Sequence, residues 1–106
     1  MISFDDFKKM ELKTAKVLAV NEHPSADRLF VVDLDIGEEK KQAVAGIKGH
    51  YSPDELVGKN VAVVTNMEPA TIRGVESQAM ILAANSGETL AVLTLDKDLP
   101  AGTVIK

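Results

Sequence analysis

The chain has no cysteine and no tryptophan. Without thiols there is no disulfide framework and no thiolate metal site. No apolar run approaches the ~20 residues that a membrane helix needs. The opening Met1-Ile2-Ser3-Phe4-Asp5-Asp6 is acidic where a signal peptide would be basic and then apolar. Together these absences predict a cytoplasmic chain with no membrane partner. Positive charge is also scarce: 12 Lys and Arg stand against 16 Asp and Glu, a net charge of −4. Nucleic-acid binders usually carry a basic patch, because neutralising phosphates releases counterions and supplies much of the affinity. Charge alone therefore argues against such a role. Aromatic rings are few, and Phe4, Phe7, Phe30 and Tyr51 are all there are. Proteins that grip single strands stack bases on rings, at ~1–3 kcal/mol per base. Any nucleic-acid recognition here must instead work through shape, phosphate and ribose, which suits a folded RNA.

Catalytic chemistry finds little footing. His23 and His50 fall in predicted loops, without metal-ligand partners at usable spacing, and are expected to be solvated. Ser77 has no nucleophile-elbow context, and no glycine loop is built to cradle phosphate. Asp33 and Asp35 share one strand face, which reads as a solvated surface rather than a carboxylate dyad. The residues predict a protein that is not an enzyme and needs no metal or cofactor.

What is present is ordinary globular material, 45% hydrophobic and 26% charged over 106 residues, too short for two independent cores. One domain spanning 1–106 is expected. Ser3 can cap a short helix over residues 4–9, placing Phe4 and Phe7 on one face and predicting that both join the core. Strands follow. Residues 12–20 read as β, with Ala15, Val17 and Ala19 inward and Thr14 and Lys16 outward. Phe30, Val32, Leu34 and Ile36 alternate with Val31, Asp33 and Asp35, the pattern of a strand with one buried face. A hairpin returns through residues 42–45. Ser52-Pro53-Asp54-Glu55 combines an N-cap, a proline at the first helical position and a capping-box glutamate, and Gly58 ends that turn. Further strands are expected over 59–65, 78–84, 89–95 and 103–105. Short strands around one mid-chain helical turn suggest an all-β fold, a barrel modestly ahead of a sandwich.

Four blocks, in order along the chain, carry a more specific signal. They are the opening Ser3-Phe4-Asp5-Asp6-Phe7-Lys8-Lys9-Met10-Glu11-Leu12-Lys13, then His23-Pro24-Ser25-Ala26-Asp27-Arg28-Leu29, then residues 66–74 from Asn66 to Gly74, then residues 75–84 from Val75 to Ala84. Together they resemble the tRNA-binding domain appended to methionyl-tRNA synthetases. The same domain occurs as free-standing structure-specific tRNA-binding proteins and in the endothelial monocyte-activating polypeptide family. The resemblance implies a five-stranded oligonucleotide-binding (OB) barrel with a short N-terminal helix, a mid-chain helical turn and a C-terminal extension. It further implies homodimers paired through the terminal additions, here Leu99 to Lys106 and the N-terminal helix. The expected partner is tRNA, gripped at the outer corner of its L shape with little sequence preference. A match beginning at Met1 favours a free-standing polypeptide over a synthetase appendage.

By the same resemblance the binding residues are Arg28, Asn66, Arg73, Ser77, Gln78 and Met80. Arginines suit phosphate; amides and a hydroxyl suit ribose and backbone oxygens; a methionine adapts to an irregular surface. Two positions depart from the family pattern. Thr71 stands where Lys or Arg is common, and Ala79 stands where Gly is common. With the acidic net charge, the departures imply weaker tRNA binding that is strongly sensitive to salt. The alternative reading is a chaperone-like or protein-interaction dimer of the same fold, akin to a secretion-related branch, marked by an exposed apolar groove.

Overall fold

The computed structural model describes residues 1–106. Its organising element is a long strand, β1 (Leu12–Glu22). The second half of β1 pairs antiparallel with β2 (Phe30–Asp35), and the first half with β4 (Asn60–Val64). β3 (Lys40–Ala45) extends the sheet beyond β2, and the two-residue β7 (Met80–Ile81) extends it beyond β4, giving the order β3-β2-β1-β4-β7. A strand shared by different neighbours along its length must coil, and the sheet curls into a nearly closed, OB-like barrel.

The coil is helped by a register shift in β1 between Val17 and Ala19. Such a bulge bends the strand and reverses its facing pattern. Ala15 and Val17 point inward as their alternation predicts, but beyond the bulge Val20 is buried and Ala19 only half-buried. Thr14, expected outside, is almost fully buried. Its hydroxyl donates to the Pro100 carbonyl at 3.0 Å and accepts from the Thr103 N–H at 3.0 Å. The C-terminal segment thus covers the part of β1 that β2 leaves free, with Ile105 N–H on the Leu12 carbonyl and Gly102 N–H on the Thr14 carbonyl. At that crossing a Cβ on Gly102 would lie 2.5 Å from the Ile36 carbonyl oxygen, so only glycine fits. The run expected as a strand over 103–105 makes one isolated bridge, Lys13 with Val104.

The core is built from alternate residues of β1 to β4: Val17, Phe30, Val32, Leu34, Ala43, Val61 and Val63, with Ala79 and Val92 added from later segments. Burying a side chain of the Val, Leu or Phe type contributes about 1.5–3 kcal/mol. α2 (Pro53–Leu56) drives Leu56 into this core, 1% exposed, and its first turn is held by the Ser52 N–H donating to the Glu55 carboxylate at 2.8 Å. α1 (Phe4–Phe7) is capped by the Ser3 hydroxyl as expected, but it buries nothing. Phe4 is 70% exposed and Phe7 only half-buried, which corrects their assignment to the core. A four-residue helix beyond the end of β1 lies over the C-terminal residues rather than over the barrel, and the two phenylalanines share a cleft with Val104 and Ile105.

Two small hairpins stand apart from the five-stranded sheet. One is β5 (Ala70–Ile72) with β6 (Val75–Ser77); the other is β8 (Ala83–Ser86) with β9 (Thr89–Val92). The continuous strand expected over 78–84 is therefore split between β7 and β8, and the strand expected over 89–95 stops at Val92.

Candidate nucleic-acid interface

The β5–β6 hairpin turns through Arg73 and Gly74, whose φ values are 52° and 88°. Positive φ at both central residues marks the two-residue turn whose twist matches antiparallel strands. Glycine takes it freely, but arginine in the left-handed region is uncommon and needs outside support. The support comes from Ser25 in the β1–β2 loop. The Arg73 guanidinium donates from Nη2 to the Ser25 carbonyl at 3.0 Å, and the Ser25 hydroxyl donates back to the Arg73 carbonyl at 3.1 Å. This pairing brings the loop and the hairpin tip together, and Arg28 and Arg73 line one shallow basin with Ser25, Ala26, Asp27 and Leu29.

Four ion pairs occur in the protein, and neither of these arginines belongs to one. Two exposed guanidiniums against the single carboxylate of Asp27 in one basin therefore keep donors free for an outside anion, despite the excess of acids over the whole chain. Arginine's planar fork suits a phosphate in that setting.

Ser77, Gln78 and Asn66 are placed differently. Ser77 is buried; its hydroxyl accepts from the Val44 N–H at 3.0 Å and donates to the Ala79 carbonyl at 3.2 Å. The Gln78 side chain accepts from the Gln42 N–H at 3.0 Å and donates to Glu76 at 3.1 Å, while its own N–H meets the Gln42 carbonyl at 2.8 Å. Gln42 donates in turn to the Glu76 carbonyl at 2.8 Å. These side chains stand in for a backbone ladder between β3 and residues 76–79, and so close the barrel. Asn66 uses both ends of its amide on the N-terminal segment: Oδ1 accepts from the Glu11 N–H at 2.9 Å, and Nδ2 donates to the Lys9 carbonyl at 2.8 Å.

Met80 is exposed, and with Met67, Ala70, Ile72 and Val44 it borders an apolar groove beside the hairpin, with Glu68 at its margin. The six expected residues thus divide. Arg28 and Arg73 meet, Met80 lies along the flank of the same hairpin, and Asn66, Ser77 and Gln78 are engaged within the fold. The departures also resolve. Thr71 is exposed and faces Glu76 across the hairpin, and the Ala79 methyl packs in the core rather than at the surface.

Sequence reasoning missed His23. Expected to be solvated, it is 6% exposed. Its Nδ1 accepts from the Ser25 N–H at 3.0 Å, so Nε2 carries the proton and meets the Ile72 carbonyl at 2.9 Å. Only the spacing of His23 and Ser25 around a proline hinted at a structured loop. Met67 was missed as well, since no alternating apolar pattern around it sets it apart, whereas Met80 shares the strand face of Leu82 and Ala84.

The sequence matches the profile of the family described as "Putative tRNA binding domain" over residues 12–104. The chain belongs to that family. It is 50% identical over 99% of its length to the methionine–tRNA ligase of Thermococcus kodakarensis and 51% identical over 99% to that of Methanococcus aeolicus. It spans only 14% and 16% of those two proteins. Among solved structures it resembles a MetRS-related protein from Pyrococcus horikoshii, with a TM-score of 0.93 at 27% identity, covering 100% of this chain and 98% of the other. It also resembles the chaperone CsaA from Bacillus anthracis, with a TM-score of 0.90 at 29% identity, covering 100% and 99%. This tRNA-binding domain is therefore related to synthetase appendages in sequence and to both synthetase-related and chaperone proteins in fold. Its site contains no group of three or more His, Cys, Asp or Glu able to hold a metal ion, and no helix is long and apolar enough to cross a membrane.

Proposed function

We propose that residues 1–106 act as one structure-specific tRNA-binding domain that grips the outer corner of the L-shaped tRNA without reading its sequence. One observation carries this: Arg28 and Arg73 share a basin and neither forms an ion pair, so the two cations outnumber the one acid there, Asp27. Phosphate contacts of this kind fix the register of a nucleic acid but carry no base information. Met80 adds an adaptable apolar contact along the hairpin. Asn66, Ser77 and Gln78 contribute through the shape they hold.

In this reading the domain does no chemistry. It raises the local concentration of tRNA beside a catalytic body, either tethered to a methionyl-tRNA synthetase or acting in trans as a cytoplasmic homodimer. Support for the synthetase link lies in identities of 45–51% to such ligases over nearly the whole chain. Support for pairing lies in the cleft where Phe4 and Phe7 meet Val104 and Ile105, apolar surface of the kind a second copy would cover. The test is a gel-shift titration of tRNA at two salt concentrations with wild type, Arg28→Ala and Arg73→Ala. Binding that ignores both salt and the substitutions defeats the proposal.

A second reading, a chaperone-like dimer, is favoured by the likeness to CsaA and by the apolar groove between Met67 and Met80. Competition separates the two: unfolded peptide displacing labelled tRNA as well as folded tRNA does would favour the chaperone.

A further inference from the structure

We propose that His23 is a positioning residue for the arginine pair: buried beneath the β1–β2 loop, it latches that loop to the β5–β6 hairpin and so sets Arg73 opposite Arg28. The inference rests on the tRNA reading above and deepens it.

The hairpin that carries Arg73 has only three residue pairs and lies outside the main sheet. A two-stranded ribbon of that size does not hold itself in one orientation in water. Its base is fastened by the Gln42, Ser77 and Gln78 hydrogen bonds to β3. Its tip is fastened by three hydrogen bonds from two loop residues, His23 and Ser25, which a fourth joins to each other. The His23 ring reaches the Ile72 carbonyl at 2.9 Å with one nitrogen and the Ser25 N–H at 3.0 Å with the other. Ser25 then exchanges two hydrogen bonds with Arg73. His23 therefore governs both partners. It holds the hairpin directly through Ile72, and it orients the residue that holds Arg73. The backbone of His23 is itself anchored, its N–H donating to the Leu29 carbonyl at 3.1 Å across the loop that contains Arg28.

Burial rules out His23 as a contact residue, since a ring 6% exposed offers nothing to an RNA surface. Its effect must be exerted through Arg73. A guanidinium whose backbone sits at φ 52° and whose Nη2 is already engaged has few ways to move. It meets a phosphate without first losing side-chain freedom, which is how a fixed loop strengthens binding. Once the latch opens, the left-handed turn relaxes and that advantage is lost.

The two nitrogens can be tested separately. In His23→Asn the amide oxygen can replace Nδ1 towards Ser25 but cannot reach Ile72. In His23→Gln the amide nitrogen can replace Nε2 towards Ile72. His23→Ala removes both. For tRNA binding, His23→Ala and His23→Asn should each weaken affinity about tenfold, the equivalent of roughly one hydrogen bond, and His23→Gln should recover most of it. In an Arg73→Ala background His23→Ala should cost less than about twofold more, because the residue it positions is gone. An equal cost in both backgrounds, or an Asn variant binding as wild type does, overturns the proposal. A measurement without RNA judges the latch on its own. The amide–Hα coupling of Arg73 reports its φ and should move toward an averaged value in the Ala and Asn variants and return in Gln. A coupling unchanged in His23→Ala overturns the latch even if tRNA binding is lost. Arg73→Ala binding tRNA like wild type defeats the phosphate-grip reading instead, and with it any functional role for His23.

Discussion

The basin at the hairpin tip and the seam at the hairpin base contain similar polar residues put to opposite use. At the tip, Arg28 and Arg73 face solvent without an acidic partner inside the protein. At the base, Ser77 and Gln78 spend their hydrogen bonds on β3. A polar group can present itself to a ligand only if folding has left it unsatisfied, and only water pays for that in the free protein. The contrast teaches that residues adjacent in one motif can divide between gripping and building, and that the division is visible only in where each hydrogen bond ends.

The sharpest way to break the comparison is to remove both cations. The Arg28→Ala, Arg73→Ala double variant should lose about a hundredfold or more in tRNA affinity, measured by gel shift, since a hydrogen bond to a charged group contributes ~1.5–3 kcal/mol. Its melting temperature should fall by no more than the few degrees that the exposed Arg73–Ser25 hydrogen bond accounts for. Next, raising salt about fourfold should weaken wild-type binding roughly twenty- to hundredfold if three or four phosphates are neutralised, and each arginine removed should lower the slope by about one contact. At the seam the pattern should invert. Ser77→Ala leaves the half-buried Val44 N–H without its acceptor, which costs about 1 kcal/mol and lowers the melting temperature by several degrees. Its tRNA affinity, read well below that transition, should change less than about threefold. A Ser77 variant that keeps its stability and loses tRNA would move this residue to the gripping side.

The smallest expected effect is of pH. Hydrogen bonds from Ser52, its backbone N–H first, hold the Glu55 carboxyl below its ordinary value. A hydrogen bond and then the charge of Lys48 do the same for Glu22. Both groups are lowered in the folded state, so each contributes stability that is present above the ordinary glutamate range. That stability is lost as the pH falls through the lowered values. The stability gap between wild type and Glu55→Gln, followed by circular dichroism in denaturant, should be present at neutral pH and close as the pH falls through the lowered value, where the protonated carboxyl and the amide become alike.

Much of the fold was legible in the chain. The alternation of Phe30, Val32, Leu34 and Ile36 maps directly onto a buried strand face, and the capping chemistry of Ser52 to Glu55 onto α2. Where legibility failed, a non-local contact had overruled the local pattern. Thr14 is buried because residues 100–103 fold back over it, and the β1 bulge flips the facing of Ala19 and Val20. Phe4 and Phe7 look like core in any four-residue helix, and nothing nearby in sequence says that the helix lies off the barrel. For the site, the resemblance named the positions but not their division. Ser77 and Gln78 differ from Arg28 only through the strand that passes beside them, and the burial of His23 depends on Ile72, 49 residues away.

The cleft shared by Phe4, Phe7, Val104, Ile105 and Lys106 has a consequence for how such a unit can be used. With Phe4 and Phe7 lying beside residues 104–106, the barrel can be joined to a host through either segment or both, like a bead clipped to a string. Joining Lys106 to Met1 through a short glycine spacer and reopening the chain at the β8–β9 turn should yield a permuted barrel that still folds.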